Sequence, residues 1–150
     1  MKAIRLIALA ACMAATLDAS AQEQEIRLFS HRGGRMEHDE NTLSAFQASY
    51  DAGYRGFETD IRMTRDGALV ITHDSSLERT TDGTGTVEEK TEAEIRQLAT
   101  KQGNKMMFLD ELLEFLEGKE GLYVEFEMKT KPVELYPEER LHAYCDKLYD

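Results

Sequence analysis

Three carboxylates near predicted strands could form a metal-binding site. Glu58 and Asp60 are two residues apart in an apolar stretch, and the two-residue period of a strand points both carboxylates to one face. Glu127, on the polar face of a later predicted strand, can supply a third. Burying unpaired anions costs several kcal/mol each, so the pattern indicates a divalent cation, and all-oxygen ligation favours Mg²⁺ or Ca²⁺ over zinc or copper. The alternative is that these acids pair with Arg or Lys.

Two histidines follow predicted strands, which is where an α/β barrel places catalytic groups. His31 and His73 each come directly after an apolar run. Histidine suits proton transfer near neutral pH, and phosphodiester cleavage removes a proton from the nucleophile and gives one to the leaving alkoxide. The pair therefore fits a general acid and a general base. The alternative is a structural hydrogen bond, the role that we assign to His38 and His142.

Two cations lie next to these groups in the sequence. Arg32 follows His31, and Lys129 stands two residues after Glu127. Because an arginine can bind two phosphate oxygens at once and a lysine acts as a point charge, both could hold the nonbridging oxygens of a phosphate beside the metal. For Lys129 the alternative is a simple counterion to Glu125 or Glu127.

Apolar and alternating stretches predict four strands and four helices. The strands cover residues 26–30, 56–61, 68–72 and 122–129. The helices are expected to begin at a cap on Asn41 or Thr42, at a Thr91–Glu94 capping box, at Asp110 and at Pro137, and the first three to end near Gly53, Ala99 and Gly118. The connection between the second and third strands is too short for a helix, so the sequence leaves open whether they are parallel or a hairpin.

The order strand, helix, strand predicts an α/β fold with a parallel sheet. Whole (β/α)₈ barrels typically need about 250 residues, whereas this chain has 150. We therefore predict one domain at residues 22–150 that forms the N-terminal half of a TIM barrel and is truncated; a free-standing doubly wound sheet is the alternative. The formal net charge of −11 argues against binding to nucleic acid or to an anionic membrane.

The first 21 residues have the pattern of a cleaved secretory signal peptide. Two cations precede an apolar run over residues 6–17, and Ala19-Ser20-Ala21 provides a cleavage site. The run is too short to span a bilayer, so we predict a secreted or periplasmic protein, cleaved near Ala21, with no transmembrane segment. As an alternative, Leu9-Ala10-Ala11-Cys12 resembles a bacterial lipobox and would leave a lipoprotein anchored at Cys12.

Taken together, these signals resemble the successive motifs of the glycerophosphodiester phosphodiesterases. The similar segments are His31-Arg32-Gly33-Gly34, Glu40-Asn41-Thr42, Glu58-Thr59-Asp60, Thr64-Arg65-Asp66-Gly67, His73-Asp74 and Glu127-Met128-Lys129. They follow in order over most of the stretch from Phe29 to Lys129. The resemblance implies a metal-dependent TIM barrel that hydrolyses a glycerophosphodiester to sn-glycerol 3-phosphate and an alcohol.

The resemblance also implies roles for particular residues. The implied site consists of the acid and base pair His31 and His73, the ligands Glu58, Asp60 and Glu127 of one Mg²⁺ or Ca²⁺, and the phosphate-binding residues Arg32 and Lys129. The family chemistry further implies attack either by the glycerol hydroxyl of the substrate, through a cyclic phosphate, or by water. The sequence leaves this choice open.

Two positions depart from the family pattern. Asp39 replaces the usual proline before Glu40, and we expect this change to loosen the loop. Glu125 replaces an asparagine that is common two positions before Glu127, so either glutamate could reach the metal. We favour Glu127.

Two other functions are considered for the chain. One is an inactive or binding-only fragment of a barrel phosphodiesterase, and the other is a related enzyme acting on a lysolipid or phosphoinositide. The second is disfavoured because the sequence shows no apolar stripe or basic patch for a bilayer surface. The expected partners are a small-molecule glycerophosphodiester and, through the open edges of a half barrel, further copies of the chain.

Overall fold

The structure, a computed structural model, describes residues 27–149. Its strands are β1 Phe29–His31, β2 Gly56–Met63, β3 Leu69–Ile71 and β4 Tyr123–Met128. Its α-helices are α1 Leu43–Asp51, α2 Glu92–Ile95, α3 Leu109–Leu116 and α4 Glu138–Tyr149, with 3₁₀ turns at Val87–Glu89 and Val133–Leu135. The predicted signal peptide and lipobox lie outside the described residues. Within the described range, we find no helix with the length and apolar character that a bilayer crossing requires.

Strand β2 lies at the centre of the sheet. Strand β4 pairs with it in parallel from Gly56 to Ile61, and β1 pairs in parallel with its first three residues. Strand β3 pairs antiparallel with residues 61–63, so β2 and β3 form a hairpin. Because β4 already occupies one edge of β2, strands β1 and β3 share the other edge and approach each other along it. The hairpin settles the question that the sequence leaves open.

One face of the sheet is covered by helices. The main core joins Phe57, Ile61 and Met63 of β2 to Phe46 of α1, and it continues into α3 and α4 through Leu112, Phe115 and Tyr144. The intervening residues of β2 alternate to the opposite face, because side chains of a strand alternate. A doubly wound sheet needs helices on both faces. Since α1, α3 and α4 all join one core, the fold agrees with a barrel segment instead.

The first two helices begin where the sequence predicts. Thr42 is the N-cap of α1 and accepts a hydrogen bond from the backbone N–H of Ala45. Thr91 and Glu94 form the predicted capping box of α2. The prediction extends α2 to Ala99, but the helix ends at Ile95. It ends early because Ala99 and Thr100 pair with other backbone segments in isolated bridges.

The predicted cap of α3 is wrong. The helix begins one residue before Asp110, with Phe108 at the N-cap position, and the carboxylate of Glu111 accepts a hydrogen bond from the backbone N–H of Phe108. Phe108 is buried in a second core cluster with Val70 and Ile95. Packing of the Phe108 side chain therefore determines where the helix starts, although Asp110 has the better capping propensity.

Candidate active site

Two strands bring the three predicted carboxylates together. In the parallel pairing of β2 with β4, Asp60 lies opposite Glu127 and Glu58 lies opposite Glu125. Carboxylate oxygens of Glu58, Asp60 and Glu127 lie within 4.8 Å of one another. Glu125 lies two residues before Glu127 on β4 and is not part of this group. We call Glu58, Asp60 and Glu127 the acidic cluster.

Two cations pair with the acidic cluster. Arg32 Nε lies 3.0 Å from Asp60 Oδ2, and Lys129 Nζ lies 3.1 Å from Asp60 Oδ1 and 2.7 Å from Glu127 Oε1. The structure therefore contains the ion pairs that the sequence offers as an alternative to a metal. Two cations face three carboxylates, however, and Arg32 is shared with Glu40. The cluster consequently keeps negative charge.

The acidic cluster fits a hard divalent cation. Burial, followed by the negative charge of Asp60, raises the pKa of Glu58 above its ordinary value. Asp60 is fully buried, and its Oδ1 atom lies 3.1 Å from Lys129 Nζ but accepts no well-oriented hydrogen bond. A cation beside these oxygens would relieve the repulsion and satisfy the buried acceptor, and an all-carboxylate donor set suits Mg²⁺ or Ca²⁺.

The two histidines approach the cluster from opposite directions along one edge of β2. His31 ends β1 opposite Glu58, whereas the chain after β3 runs back so that the N–H of Thr72 donates to the carbonyl oxygen of Asp60. His73 follows directly. The hairpin, which departs from regular β/α alternation, thus places His73 on the same edge as His31.

The histidines differ in their surroundings. His31 is half-exposed, and its Nε2 atom lies 3.5 Å from Glu58 Oε2. Partial burial, followed by the positive charges of Arg32 and Arg35, lowers the pKa of His31. The Nδ1 atom of His73 lies 2.5 Å from Asp74 Oδ1.

An open cavity joins one histidine to the acidic cluster. It has a volume of about 690 Å³, and its lining includes His73, Glu127 and Lys129. His31 lines a separate cavity of about 390 Å³. The larger cavity has room for a small phosphodiester next to a histidine, a carboxylate and a cation.

Asn41 is a site residue that sequence reasoning missed. It stands beside the cap Thr42, but its side chain donates to Asp60 Oδ2 and accepts from Thr59 Oγ1. Asn41 and Arg32 adopt φ angles of 58° and 54°, a left-handed conformation that is uncommon outside glycine. Such backbone conformations cluster at functional sites, and here both residues contact the carboxylate of Asp60.

Side-chain hydrogen bonds hold Asp39, and the sequence-based expectation of a looser loop did not include them. Its carboxylate accepts hydrogen bonds from the hydroxyl of Thr100 and from Asn104 Nδ2, the latter at 2.9 Å. Both donors lie in the turn that follows α2. Side-chain hydrogen bonds therefore anchor the segment that leads into Glu40, where a proline would have restricted the backbone.

The combination of fold and site places the chain among α/β barrel proteins whose functional groups lie on neighbouring parallel strands. The comparisons with known proteins agree. The model of the glycerophosphoryl diester phosphodiesterase family matches residues 31–147. The chain belongs to this family.

Individual relatives show the same likeness. The chain is 37% identical over 123 residues to a glycerophosphodiester phosphodiesterase of Caldanaerobacter subterraneus, covering 76% of this chain and 50% of that relative. A glycerophosphodiester phosphodiesterase structure from Agrobacterium tumefaciens superimposes with a TM-score of 0.67 at 28% identity, over 84% of this chain and 64% of that one. A phosphodiesterase from Oleispira antarctica, solved in complex with the product sn-glycerol-3-phosphate, gives 0.70 at 30%, over 83% and 52%.

These comparisons confirm the predicted fold class. The chain spans about half the length of the Caldanaerobacter relative, and the four strands within residues 27–149 form part of a TIM barrel. The family depends on divalent metal ions, and the acidic cluster supplies a group of carboxylates suited to one.

Proposed function

We propose that the chain carries the metal-binding and phosphate-binding half of an active site that hydrolyses glycerophosphodiesters to sn-glycerol 3-phosphate and an alcohol. The observation that carries this proposal is the acidic cluster, flanked by Arg32 and Lys129 and bordered along one edge of β2 by His31 and His73. The Oleispira relative, which was solved with sn-glycerol-3-phosphate, supports this substrate class.

Glu58, Asp60 and Glu127 would hold one Mg²⁺ or Ca²⁺. When bound, such a cation polarises a phosphoryl oxygen and stabilises the negative charge that develops there. Asp60 would contribute its buried Oδ1 atom, which pairs with the ammonium of Lys129 but accepts no well-oriented hydrogen bond. Asn41 holds the other oxygen of Asp60 at 3.0 Å, so that the carboxylate keeps one orientation.

Arg32 and Lys129 would bind the nonbridging oxygens of the phosphate. Both are largely buried and already lie against the acidic cluster. An incoming phosphodiester would share their positive charge with the carboxylates. The guanidinium of Arg32 can bind two oxygens, whereas Lys129 offers a single charged group.

His31 and His73 would transfer the two protons of the reaction. One accepts a proton from the attacking hydroxyl, which belongs either to the glycerol group of the substrate or to water. The other donates a proton to the alkoxide as the bond between phosphorus and the leaving oxygen breaks. His31 and His73 approach the acidic cluster from opposite directions along β2. This arrangement suits two groups that act on opposite sides of one phosphorus atom.

The proposal is tested by incubating the full-length protein with glycerophosphocholine and Mg²⁺ or Ca²⁺, and following the products by phosphorus NMR. We expect sn-glycerol 3-phosphate to appear at catalytic turnover. Binding of the diester without any product would support a binding-only protein and contradict the proposal. A lysophospholipid and a phosphoinositide, assayed in parallel, should be hydrolysed more slowly.

A further inference from the structure

A continuous series of charged side chains connects the two loops that carry the proposed catalytic groups. The series runs from Arg32 through Glu40, Arg79 and Asp74 to His73. We propose that Arg79 is a positioning residue that fixes His73 and Arg32 relative to each other by joining Asp74 to Glu40. This role rests on the hydrolytic function proposed above.

Two nitrogen atoms of the Arg79 guanidinium donate to the carboxylate of Glu40. Its Nη2 atom donates to Glu40 Oε1 at 2.7 Å and its Nη1 atom to Oε2 at 3.0 Å. Glu40 Oε1 also accepts from Arg32 Nη1 at 3.2 Å. Two parallel hydrogen bonds between a guanidinium and a carboxylate fix direction as well as distance. The position of Arg79 therefore determines where Glu40, and through it the side chain of Arg32, can lie.

The third donor of Arg79 bonds to Asp74, which also contacts His73. Arg79 Nε donates to Asp74 Oδ2, and the other oxygen of Asp74 faces His73 Nδ1. Although burial alone would raise the pKa of Asp74, the hydrogen bonds from Arg79 and His73 lower it to about 2. An ionised carboxylate only accepts hydrogen bonds. His73 Nδ1 must consequently carry the proton, which leaves Nε2 free to exchange a proton with substrate.

The segment that carries Arg79 is itself anchored. Leu77 is buried in the second core cluster, and its backbone N–H donates to the carbonyl oxygen of Gly85 at 3.0 Å. The N–H of Thr81 in turn donates to the carbonyl oxygen of Leu77. Arg79 thus extends from an anchored backbone segment to the carboxylates of Glu40 and Asp74. An anchored donor of this kind can position both side chains.

The energetic contribution to folding should be small. The side chain of Arg79 is 48% exposed, and ion pairs at that exposure contribute little to the stability of a protein. Misplacement of a catalytic group by about 1 Å, in contrast, can lower a rate by about a hundredfold. Replacement of Arg79 should therefore affect turnover far more than stability.

The test is Arg79→Met in the full-length protein, assayed on glycerophosphocholine with the metal in excess. We expect kcat to fall by roughly ten- to a hundredfold, KM to change by less than about threefold, and the thermal unfolding midpoint to stay within a few degrees of the native value. Arg65→Met is the matched control, since Arg65 is also an exposed arginine paired with a glutamate, Glu94, but lies outside the series. This control should leave kcat unchanged.

A double-mutant cycle distinguishes positioning from a general effect. Because Arg79 is proposed to act through His73 as well as through Arg32, Arg79→Met should lower kcat by a smaller factor in a His73→Ala background than in the native protein, since coupled groups are non-additive. Nitrogen-15 NMR should show the Nδ1–H tautomer of His73 in the native protein and a mixture of tautomers in Arg79→Met. Asp74→Asn removes the carboxylate that His73 and Arg79 share and should give the same spectrum.

Native turnover in Arg79→Met, a rise in KM at unchanged kcat, or an equal loss of rate in the His73→Ala background would each overturn the proposal. An unchanged histidine spectrum in both variants would do the same. The failure of the proposed function has a different signature, since the native protein would then show no turnover while the histidine spectra would still report on Arg79.

Discussion

At the residue scale, Asp60 is the point where the opposing charges of the site meet. Asn41, Arg32 and Lys129 all approach its carboxylate, which is fully buried. Two of these three partners are cations that a phosphate would also attract. The same carboxylate can therefore hold the cations in place before substrate arrives and share them with the phosphate afterwards.

The first prediction at this scale concerns the histidines. His31→Ala and His73→Ala should each lower kcat on a glycerophosphodiester by roughly a hundredfold to ten-thousandfold, because each removes a positioned acid or base. His142→Ala, on α4, serves as the control and should leave kcat near the native value. A near-native rate in either of the first two variants would show that the replaced histidine has only a structural role.

The second prediction separates two neighbouring glutamates. Glu127 belongs to the acidic cluster, whereas Glu125 lies one pleat away on the same strand. Glu127→Gln should weaken Mg²⁺ or Ca²⁺ binding by at least about tenfold, since even partners of metal ligands contribute that much. Glu125→Gln should weaken it by less than about threefold. Calorimetric titration measures both, and the reverse order would show that Glu125 is the ligand.

At the element scale, local patterns in the sequence predict most starts of elements but not their long-range partners. Thr42 and the Thr91–Glu94 box follow from side chains that bond to backbone within three residues. Asp110 has the same local signal, but the burial of Phe108 overrides it. The hairpin of β2 and β3 depends on which edge of β2 is free, and no local pattern contains that information.

The same limit applies to the site. Glu58 and Asp60 are predictable because the strand period alone puts them on one face. The pairing of Arg79 with Glu40 joins residues 39 positions apart in two loops. Loops have no periodicity that would indicate such a contact. The sequence indicates Asn41 only as a candidate helix cap, whereas in the structure its backbone is left-handed and its amide donates to Asp60.

A buried ion pair beside the site predicts how stability depends on pH. Arg62 Nη1 donates to Glu88 Oε1 at 2.6 Å, and Ser75 and Tyr136 donate to the same carboxylate. Burial by itself would raise the pKa of Glu88, but these hydrogen bonds and the charge of Arg62 lower it. A lowered pKa in the folded state adds stability above the unfolded value of about 4.3, and this stability is lost as the pH falls.

Glu88→Gln should therefore be less stable than the native protein at pH 7, and the difference should shrink as the pH falls toward 3. Urea unfolding at several pH values measures this difference. Glu114→Gln, at an exposed position of α3, is the control. A difference for Glu88→Gln that does not depend on pH would contradict the assignment of an ionised Glu88.

At the scale of the whole molecule, the open edges of the sheet predict self-association. Within residues 27–149, β4 pairs only with β2 and leaves its outer edge unpaired. Unpaired edges promote pairing with further strands. Residues 22–150 expressed alone should therefore sediment as oligomers or aggregates. Phe126→Lys, at a partly exposed position of β4, should reduce the association, and a compact native monomer would contradict the prediction.

The metal requirement tests the central claim most directly. The full-length protein, treated with a chelator and then dialysed, should lose turnover of glycerophosphocholine and regain it on addition of Mg²⁺ or Ca²⁺, because the acidic cluster repels an anionic phosphodiester unless a cation is bound. Asp60→Asn should prevent the recovery. Full turnover after chelation, with no response to either ion, would show that the carboxylates serve only as counterions to Arg32 and Lys129.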